Sequence, residues 1–326
     1  MKLNEININE IEKIQEKIKD IFAKEESEKY FAWYKGNYKK LNYFYDLLED
    51  EKEKSLYVKT IYTKLVGHTN ISEEEKQKYL LSREEFDKVL ENDSIRKLKS
   101  VTRKLKFYNL QKFGYALKLY GARALLDKIV VHNQYSHSKC HIEKDDYVMD
   151  GGACWGDTAL IFAQKTGEKG KVFTFEFFED NLNILKENFS LNKNISKKVV
   201  LIEKPLYNKS NMVLYLNHAC ADITTLTEKN NNLQQYETIA IDDFVSENKI
   251  EKIDFIKLDV EGNEIAALKG AERILKKYKP KLAIAAYHKY DDYYEIPKFI
   301  NELSLGYKFY FASYTPAGTD TVIYAK

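Results

Sequence analysis

The spacing of hydrophobic residues changes character near residue 145. From there on, short and continuously apolar runs alternate with longer segments in which apolar positions recur at helical spacing. The runs lie at residues 147–151, 171–176, 198–203, 253–259 and 281–287. Continuous apolarity suits strands that are buried on both faces of a parallel sheet. The pattern therefore predicts an α/β fold made of βαβ units.

The end of the chain departs from this alternation. Residues 307–325 contain two strand-like runs joined by a loop with Pro316 and Gly318. Because that loop is too short for a helical crossover, we expect a C-terminal antiparallel hairpin. Residues 204–245 hold shorter β-like pieces, MVLYL and TIAI, among asparagine-rich loops.

The first third of the chain lacks the residues that interrupt helices. No proline precedes residue 205, and only Gly36 and Gly67 occur in the first 110 residues. We therefore predict a helical N-terminal region at residues 1–125, for acceptor recognition or oligomerisation, followed by a second domain at residues 126–326.

Two details refine this helical region. Ser72 with Glu75, and Ser82 with Glu85, match the capping-box spacing and predict two helix starts. Isoleucines at 11, 14, 18 and 21 form a seam of about two heptads, too short to predict a coiled coil. Such a seam suits internal packing or a homodimer contact through the N-terminal helices.

Composition excludes several classes of protein. Hydrophobic residues at 44% and charged residues at 31% are typical of a globular protein and not of a disordered one. Lys+Arg 52 against Asp+Glu 50 gives a net charge of only +2, and five of the basic residues are arginine, so a nucleic-acid partner is not expected. Three widely spaced cysteines and the lack of an apolar signal or spanning segment predict a cytoplasmic protein without membrane insertion.

A glycine-rich loop follows the first predicted strand of the α/β region. The strand runs into DGGACWGDT, where Gly152 and Gly156 can adopt conformations closed to other residues. A helix beginning there would place Asp157, Thr158 and free N–H groups at the carboxyl edge of the sheet. A dinucleotide fingerprint would need glycine at position 153, which is alanine, so NAD binding is the weaker alternative.

An acidic residue ends the second predicted strand of this region. Glu176 lies 20 residues after Gly156, where a carboxylate commonly bridges the ribose hydroxyls of a nucleotide. The alternative is a glutamate that faces solvent or caps the helix starting near Asn181. The loop and Glu176 together predict a nucleotide-type cofactor site.

Four segments carry a resemblance to a known family: VMDGGACWGDTALIFA, FEFFEDNLNILKENFSLN, ETIAIDDFV and IDFIKLDVEGNEIAALKGAERIL. As a set they resemble the FkbM family of methyltransferases, whose D-V-E-G-x-E box after a hydrophobic strand is hard to mistake. The pattern Asp150-x-Gly152-x-x-x-Gly156 resembles the first motif of S-adenosylmethionine-dependent methyltransferases. The chain departs from the family at Phe177 and Phe178, where a proline usually follows the acidic residue.

The resemblance implies a Rossmann-like, seven-stranded methyltransferase sheet, S-adenosylmethionine as the methyl donor, and most often O-methylation of a hydroxyl on a sugar or natural-product scaffold. It covers about the last 190 residues, within the domain at residues 126–326, and leaves the helical region outside the match. The residues expected to bind this cofactor are Asp150, Gly152, Gly156, Asp157, Thr158, Glu176 and Asn181.

Methyl transfer to oxygen also needs a group that accepts the hydroxyl proton. Asp259 ends the fourth predicted strand and His288 follows the fifth, and parallel strands end at the same edge of a sheet. We therefore predict Asp259 and His288 as the catalytic pair, the alternative for His288 being a solvent-facing residue.

No metal is assigned, although two groups of ligand-type residues occur. Asp259, Glu261 and Glu264 could hold Mg²⁺, but acidic residues at a helix start also stabilise the helix end. The HSKCH segment lacks a second pair of ligands at a zinc-finger distance.

The sequence leads to one main functional prediction. We expect an S-adenosylmethionine-dependent O-methyltransferase that acts on a sugar hydroxyl, in nucleotide-linked sugar or surface-polysaccharide assembly. The alternatives are an O-methyltransferase of a non-sugar natural product, a NAD-dependent Rossmann oxidoreductase, and a non-enzymatic adaptor.

Overall fold

The computed structural model describes residue 3 and residues 6–67, 71–97, 104–220, 223–227 and 234–326. The chain forms two compact units, one made of Met1–Ser82 with Ala285–Lys326 and the other of Arg83–Ile284.

Helices dominate the N-terminal part of the first unit, as predicted. They are α1 (Ile8–Gln15), α2 (Ile21–Leu47), α3 (Glu51–Val66) and α4 (Glu73–Asp87). Asn7, Asp20 and Asp50 cap the first three by accepting hydrogen bonds from first-turn N–H groups. None of the described helices is long and apolar enough to cross a membrane.

The two predicted capping boxes differ in outcome. Glu75 donates its backbone N–H to Ser72 Oγ at 3.3 Å, and α4 starts at Glu73, so the first is confirmed. Ser82 lies inside α4 and donates its hydroxyl to the Tyr79 carbonyl oxygen at 2.7 Å. The predicted helix start at Ser82 is therefore wrong, because a serine within a helix can bond to the preceding turn.

The expectation of helices throughout the first third is wrong for residues 90–97, 104–109 and 118–121. These residues form an antiparallel sheet of β1 (Leu90–Lys97), β2 (Lys104–Asn109) and β3 (Lys118–Gly121), and residues 98–103 lie outside the described residues. Glycine is absent from β1 and β2, so the scarcity of glycine and proline did not distinguish these strands from helices. In β2, exposed Lys104 and Lys106 alternate with buried Leu105 and half-buried Phe107.

The rest of the second unit and residues 285–326 of the first unit have the predicted alternation of strands and helices. The elements are α5 (Arg123–Val130), β4 (Tyr147–Gly151), α6 (Asp157–Lys165), β5 (Lys171–Phe175), α7 (Glu179–Leu191), α8 (Lys193–Ser196), β6 (Val199–Ile202), β7 (Val213–Cys220), β8 (Ile223–Thr227), β9 (Gln235–Glu237), α9 (Ile241–Glu247), β10 (Phe255–Leu258), α10 (Glu264–Lys269), α11 (Glu272–Tyr278), β11 (Lys281–Ala285), α12 (Asp292–Glu302), β12 (Phe309–Ser313) and β13 (Thr321–Ala325).

Seven strands form one mixed sheet in the order β12-β13-β11-β10-β4-β5-β6. The pairs from β11 to β6 are parallel, and β12 pairs with β13 as the antiparallel hairpin that the sequence predicts. Residues of β4, β5 and β10 are almost all fully buried, which explains their continuous apolarity. The predicted fold class is confirmed.

A small antiparallel sheet of order β8-β7-β9 lies in the second unit between β6 and α9. The predicted piece MVLYL falls on β7, whereas TIAI makes a single bridge at Ile239 before α9 begins. Residues 221–222 and 228–233 of the asparagine-rich region lie outside the described residues.

Candidate functional site

Asp150, near the end of β4, is fully buried and is held by side chains from three other elements. Its Oδ2 accepts hydrogen bonds from Thr158 Oγ1 at 2.8 Å and Thr174 Oγ1 at 3.0 Å. Its Oδ1 lies 3.2 Å from Lys257 Nζ in a buried ion pair. A buried carboxylate requires such partners. Asp150 therefore ties β4 to α6, β5 and β10 beneath the glycine loop.

Lys257, in the middle of β10, supports the same loop from below. Its Nζ donates to the carbonyl oxygens of Gly151 at 3.0 Å and Gly152 at 2.7 Å. Burial lowers the pKa of Lys257, but the carboxylates of Asp150 and Asp259 outweigh this effect, so the pKa is raised. The ammonium group stays charged and fixes the loop backbone.

The two predicted glycines are required by packing within the protein. Gly152 has a φ of +79°, and a Cβ there would lie 1.8 Å from the Asp259 carbonyl oxygen. Gly156, also at +79°, precedes α6, and a Cβ there would lie 2.8 Å from a ring carbon of Phe189. Glycine therefore allows the loop after β4 to pass close to the end of β10.

Asp157 and Thr158 begin α6 and are both buried. Burial raises the pKa of the Asp157 carboxyl to about 6, against the effect of the Thr158 backbone N–H, which donates to Asp157 Oδ1 at 2.9 Å. The Thr158 hydroxyl is already used by Asp150. The polar groups of this first turn thus bond mainly to the loop itself.

Glu176 directly follows β5 and is only 6% exposed. Its Oε1 accepts the backbone N–H groups of Phe177 at 2.7 Å and Phe178 at 2.9 Å. Burial outweighs these bonds and raises the pKa of Glu176 to about 7. The Phe177 bond gives a physical meaning to the departure from the family pattern, because a proline at that position would have no N–H to donate.

Asn181, in the first turns of α7, lies against Glu176. Its Nδ2 donates to Glu176 Oε2 at 3.3 Å, and the side chain is buried. Its Oδ1 is buried and has no hydrogen-bond partner in the part of the chain that the structure describes. A carboxylate and a buried amide oxygen therefore lie side by side at the carboxyl end of β5, and both are acceptors.

Asp259 follows β10 and is bonded to a tyrosine that lies far away in the sequence. The hydroxyl of Tyr135 donates to Asp259 Oδ2 at 2.5 Å. Tyr135 is buried, has a φ of +64°, and its ring centroid is 5.2 Å from Lys257 Nζ. Tyr135 thus fixes the orientation of the Asp259 carboxylate at the edge of the sheet that also carries the glycine loop.

The sequence of the parallel sheet and its loops matches a known family. The model of the methyltransferase FkbM domain matches residues 146–309, half of the chain. The chain belongs to the FkbM methyltransferase family. The match runs from the start of the parallel sheet to the start of the C-terminal hairpin and includes Glu176, Asn181 and Asp259. No curated protein matches the chain.

Several solved structures are similar to this FkbM protein at low sequence identity. The FkbM methyltransferase from Methylobacillus flagellatus KT superposes with a TM-score of 0.58 and 19% identity, covering 90% of this chain and 60% of that one. This chain thus spans about three fifths of that relative. Fibrillarin from Aeropyrum pernix with bound S-adenosyl-L-methionine gives 0.40 and 13%, covering 71% and 93%. The O-methyltransferase from Thermotoga maritima gives 0.38 and 15%, covering 72% and 86%.

The D-V-E-G-x-E box of this FkbM domain, residues 259–264, is held in shape by its last glutamate. Glu264, at the start of α10, is buried, and its Oε1 accepts the N–H groups of Val260 at 2.9 Å and Gly262 at 3.3 Å. Glu261 stands in the left-handed region at a φ of +53°. Glu264 therefore shapes the turn between β10 and α10.

The end of β11 leads to the predicted His288. Leu258 of β10 pairs with Ile284 of β11 in parallel register, so the chain leaves both strands at the same edge. His288 belongs to the first compact unit and lies against Tyr287, with ring centroids 4.2 Å apart. Its role as a catalytic residue stays a prediction.

The HSKCH segment has a structural role in the second unit. Cys140 is buried and its Sγ lies 3.4 Å from the Leu282 carbonyl oxygen. His141 Nδ1 lies 3.1 Å from the His137 carbonyl oxygen. The Cys140 contact anchors the chain before β4 onto β11, and the His141 contact stabilises the segment itself.

Sequence reasoning missed two residues that build the site, Lys257 and Thr174. Lys257 left a signal, because it is a single charge within the apolar run IDFIKLD, and a buried lysine needs acidic partners. Thr174 left none, since threonine is common in strands. Both contact Asp150.

Proposed function

We propose that this FkbM protein is an S-adenosylmethionine-dependent O-methyltransferase that acts on a hydroxyl of a sugar, in a nucleotide-linked sugar or a surface-polysaccharide precursor. The observation that carries the cofactor assignment is the pair formed by Glu176 and the buried Oδ1 of Asn181. Two acceptors side by side suit the two hydroxyl donors of a ribose. The family match supports methyl transfer.

The residues proposed to hold the cofactor divide into two groups. Glu176 and Asn181 accept the ribose hydroxyls. The others shape the glycine loop around the remainder of the cofactor, since their polar atoms are bonded within the protein or their Cα atoms pack closely: Asp150, Gly152, Gly156, Asp157 and Thr158.

The cofactor, when bound, supplies a methyl group that its positive sulfur activates for in-line displacement. The chain then aligns the acceptor and takes the hydroxyl proton. We propose that His288 accepts this proton and that Asp259 orients the histidine or holds the acceptor hydroxyl. The two residues follow neighbouring parallel strands. Tyr135 keeps Asp259 Oδ2 in place by its hydrogen bond.

Calorimetry with S-adenosylmethionine and, separately, with NAD tests the cofactor assignment. We expect S-adenosylmethionine to bind and NAD to bind far more weakly. Substitution Asn181→Leu should weaken S-adenosylmethionine binding by about tenfold, because it removes the acceptor but keeps the side-chain volume. Tight binding of NAD alone would favour the oxidoreductase and reject the proposal.

The acceptor class is tested by mass spectrometry. Incubation with S-adenosylmethionine and a panel of nucleotide sugars should give a product heavier by one methylene unit. Methylation of non-sugar natural products and of no sugar in the panel would instead support the alternative acceptor class.

The role of the N-terminal helical region, acceptor recognition or oligomerisation, is also a proposal. Ile11 and Ile18 of the predicted seam are buried in their own unit, whereas Ile21 is 76% exposed and its neighbour Phe22 71% exposed. These two side chains would form the dimer contact. Light scattering gives the molecular mass of the wild type and of the Ile21→Glu, Phe22→Glu double variant. A dimeric wild type and a monomeric variant would support oligomerisation, whereas a monomeric wild type would favour acceptor recognition.

A further inference from the structure

The second unit contains a cavity of about 620 Å³ beside β2 and the start of α5. Its volume falls in the range of pockets that bind small molecules. Four basic side chains and one acidic one line it: Arg83, Lys104, Lys106, Arg123 and Asp87. The chain has only five arginines, and two of them lie here.

The two faces of β2 separate this cavity from the glycine loop. Leu105 and Phe107 pack into a cluster with Trp155, which lies in the loop between β4 and α6. Lys104 and Lys106 alternate with them along the strand and line the cavity. The cavity is therefore distinct from the proposed cofactor site, although one strand contributes to the surroundings of both.

The charges of the cavity are only partly compensated. Arg123 Nη1 donates to Asp87 Oδ2 at 2.6 Å, and Arg83 Nε lies 3.2 Å from Asp127 Oδ2. Each arginine thus lies beside an acidic side chain. Lys104 and Lys106 form no ion pair with an acid whose side chain the structure describes. An excess of positive charge remains in a concave site, where low-dielectric walls strengthen its attraction for anions.

The start of α5 adds to this attraction. Its N-cap is Ala122, which offers no side-chain acceptor to the first-turn N–H groups. Ala122, Arg123 and Ala124 all line the cavity. The positive end of the helix dipole therefore acts in the same direction as the four basic side chains.

We propose that this cavity binds a small ligand through a phosphate or diphosphate group. Guanidinium groups match the oxygen geometry of phosphates, and two ammonium groups supply the charge that a diphosphate needs. A duplex or single-stranded nucleic acid is disfavoured, because the basic groups line a concave site and the whole chain carries a net charge of only +2. The inference does not depend on the proposed methyl transfer.

Calorimetry with inorganic pyrophosphate tests the site, using the full chain and the double variant Lys104→Glu, Lys106→Glu. Both lysines are exposed, so their replacement leaves the core intact. We expect pyrophosphate to bind the wild type and to bind the variant about tenfold more weakly or worse. The matched control is Lys169→Glu, Lys193→Glu, which makes the same charge change at exposed positions outside the cavity. It should bind pyrophosphate as the wild type does.

Two further binding experiments distinguish a small phosphate-containing ligand from the phosphate of a lipid headgroup. UDP should compete with pyrophosphate, whereas vesicles of phosphatidylglycerol should not bind the protein. Vesicle binding without pyrophosphate binding would overturn the small-ligand proposal. So would equal affinities of the two double variants, or no binding of pyrophosphate to the wild type.

A second readout separates this proposal from the proposed function. S-adenosylmethionine binding should be the same in Lys104→Glu, Lys106→Glu and in the wild type, which also shows that the variant is folded. Loss of pyrophosphate binding with intact cofactor binding supports the cavity site. Intact pyrophosphate binding in the variant rejects it, whatever the result with the cofactor.

Discussion

The Nζ of Lys257 lies 3.2 Å from Oδ1 of Asp150, and the exposed fractions of the two side chains are 1% and 0%. The pair lies directly below the loop that carries Gly152. Because the same ammonium group also bonds two loop carbonyl oxygens, the ion pair and the loop form one unit.

Replacement of Lys257 by methionine should strongly destabilise the protein. The substitution leaves the Asp150 carboxylate buried without its cation, which costs about 3–5 kcal/mol of unfolding free energy. Urea denaturation followed by circular dichroism measures the change. Lys252→Met, which removes only a half-exposed lysine paired with Asp254, should cost less than about 1 kcal/mol.

The double variant Asp150→Asn, Lys257→Met completes this cycle. Since asparagine removes the unpaired charge, the double variant should lose less stability than the two single variants added together. Strictly additive losses would show that the two side chains do not act as a pair.

Replacement of Gly152 by alanine should destabilise the protein more than the same change at Gly114. Both glycines have a positive φ, +79° and +83°, and an alanine at either position has a backbone cost of about 1 kcal/mol. Only at Gly152 does the added Cβ meet a backbone oxygen, that of Asp259 at 1.8 Å, while nothing lies within 4 Å at Gly114. Thermal unfolding of both variants measures the cost of this clash as the extra fall in Tm for Gly152→Ala. Equal falls in Tm would show that the clash is relieved by a movement of the backbone.

The ionisation of Glu176 should make stability depend on pH. Its pKa rises from 4.5 to about 7 on folding, so between these values the folded state holds more protons than the unfolded state. The unfolding free energy therefore falls as the pH rises through this range, by on the order of 3 kcal/mol. Asp157, with a pKa of about 6, contributes in the same direction.

Glu176→Gln removes this contribution and keeps an acceptor for the Phe177 and Phe178 N–H groups. Denaturation between about pH 5 and 8 should show that the unfolding free energy changes less steeply with pH in this variant than in the wild type. Adding Asp157→Asn to Glu176→Gln should reduce this pH dependence further. An unchanged pH dependence in Glu176→Gln would mean that Glu176 ionises normally in the folded protein.

Replacement of Asp259 by asparagine should abolish turnover and leave S-adenosylmethionine affinity unchanged. His288→Ala should act in the same way, because both residues are proposed to handle the proton of the acceptor and not to hold the cofactor. Steady-state kinetics and calorimetry on each variant give the two readouts. Full turnover in both variants would remove the assignment of the proton acceptor.

Tyr135→Phe tests the positioning of Asp259 separately. Loss of the 2.5 Å hydrogen bond destabilises the charged carboxylate, so the acidic limb of the pH–rate profile should move to higher pH. The maximal rate should fall by about tenfold with little change in KM. Tyr147→Phe, at a half-buried ring in β4, should leave the profile as it is.

Hydrophobic periodicity alone was enough to predict the parallel sheet and the hairpin. Strands β4, β5, β10 and β11 are buried on both faces, and burial of that kind leaves a continuous apolar run in the sequence. The sheet of β1, β2 and β3 escaped prediction because its strands are rich in lysine and its pairing is set by contacts far apart in sequence, such as Leu105 with Trp155.

For the site, the sequence determined which strand ends carry Asp150, Glu176 and Asp259, because a buried strand followed by a polar residue is a local pattern. Only the tertiary structure decided what those carboxylates bond to. It directs Asp150 inward to Lys257, turns Glu176 toward Phe177 and Asn181, and brings Tyr135 to Asp259. Partners of a buried charge come from whichever element packs against it, and that choice is made by the whole fold and not by neighbouring residues.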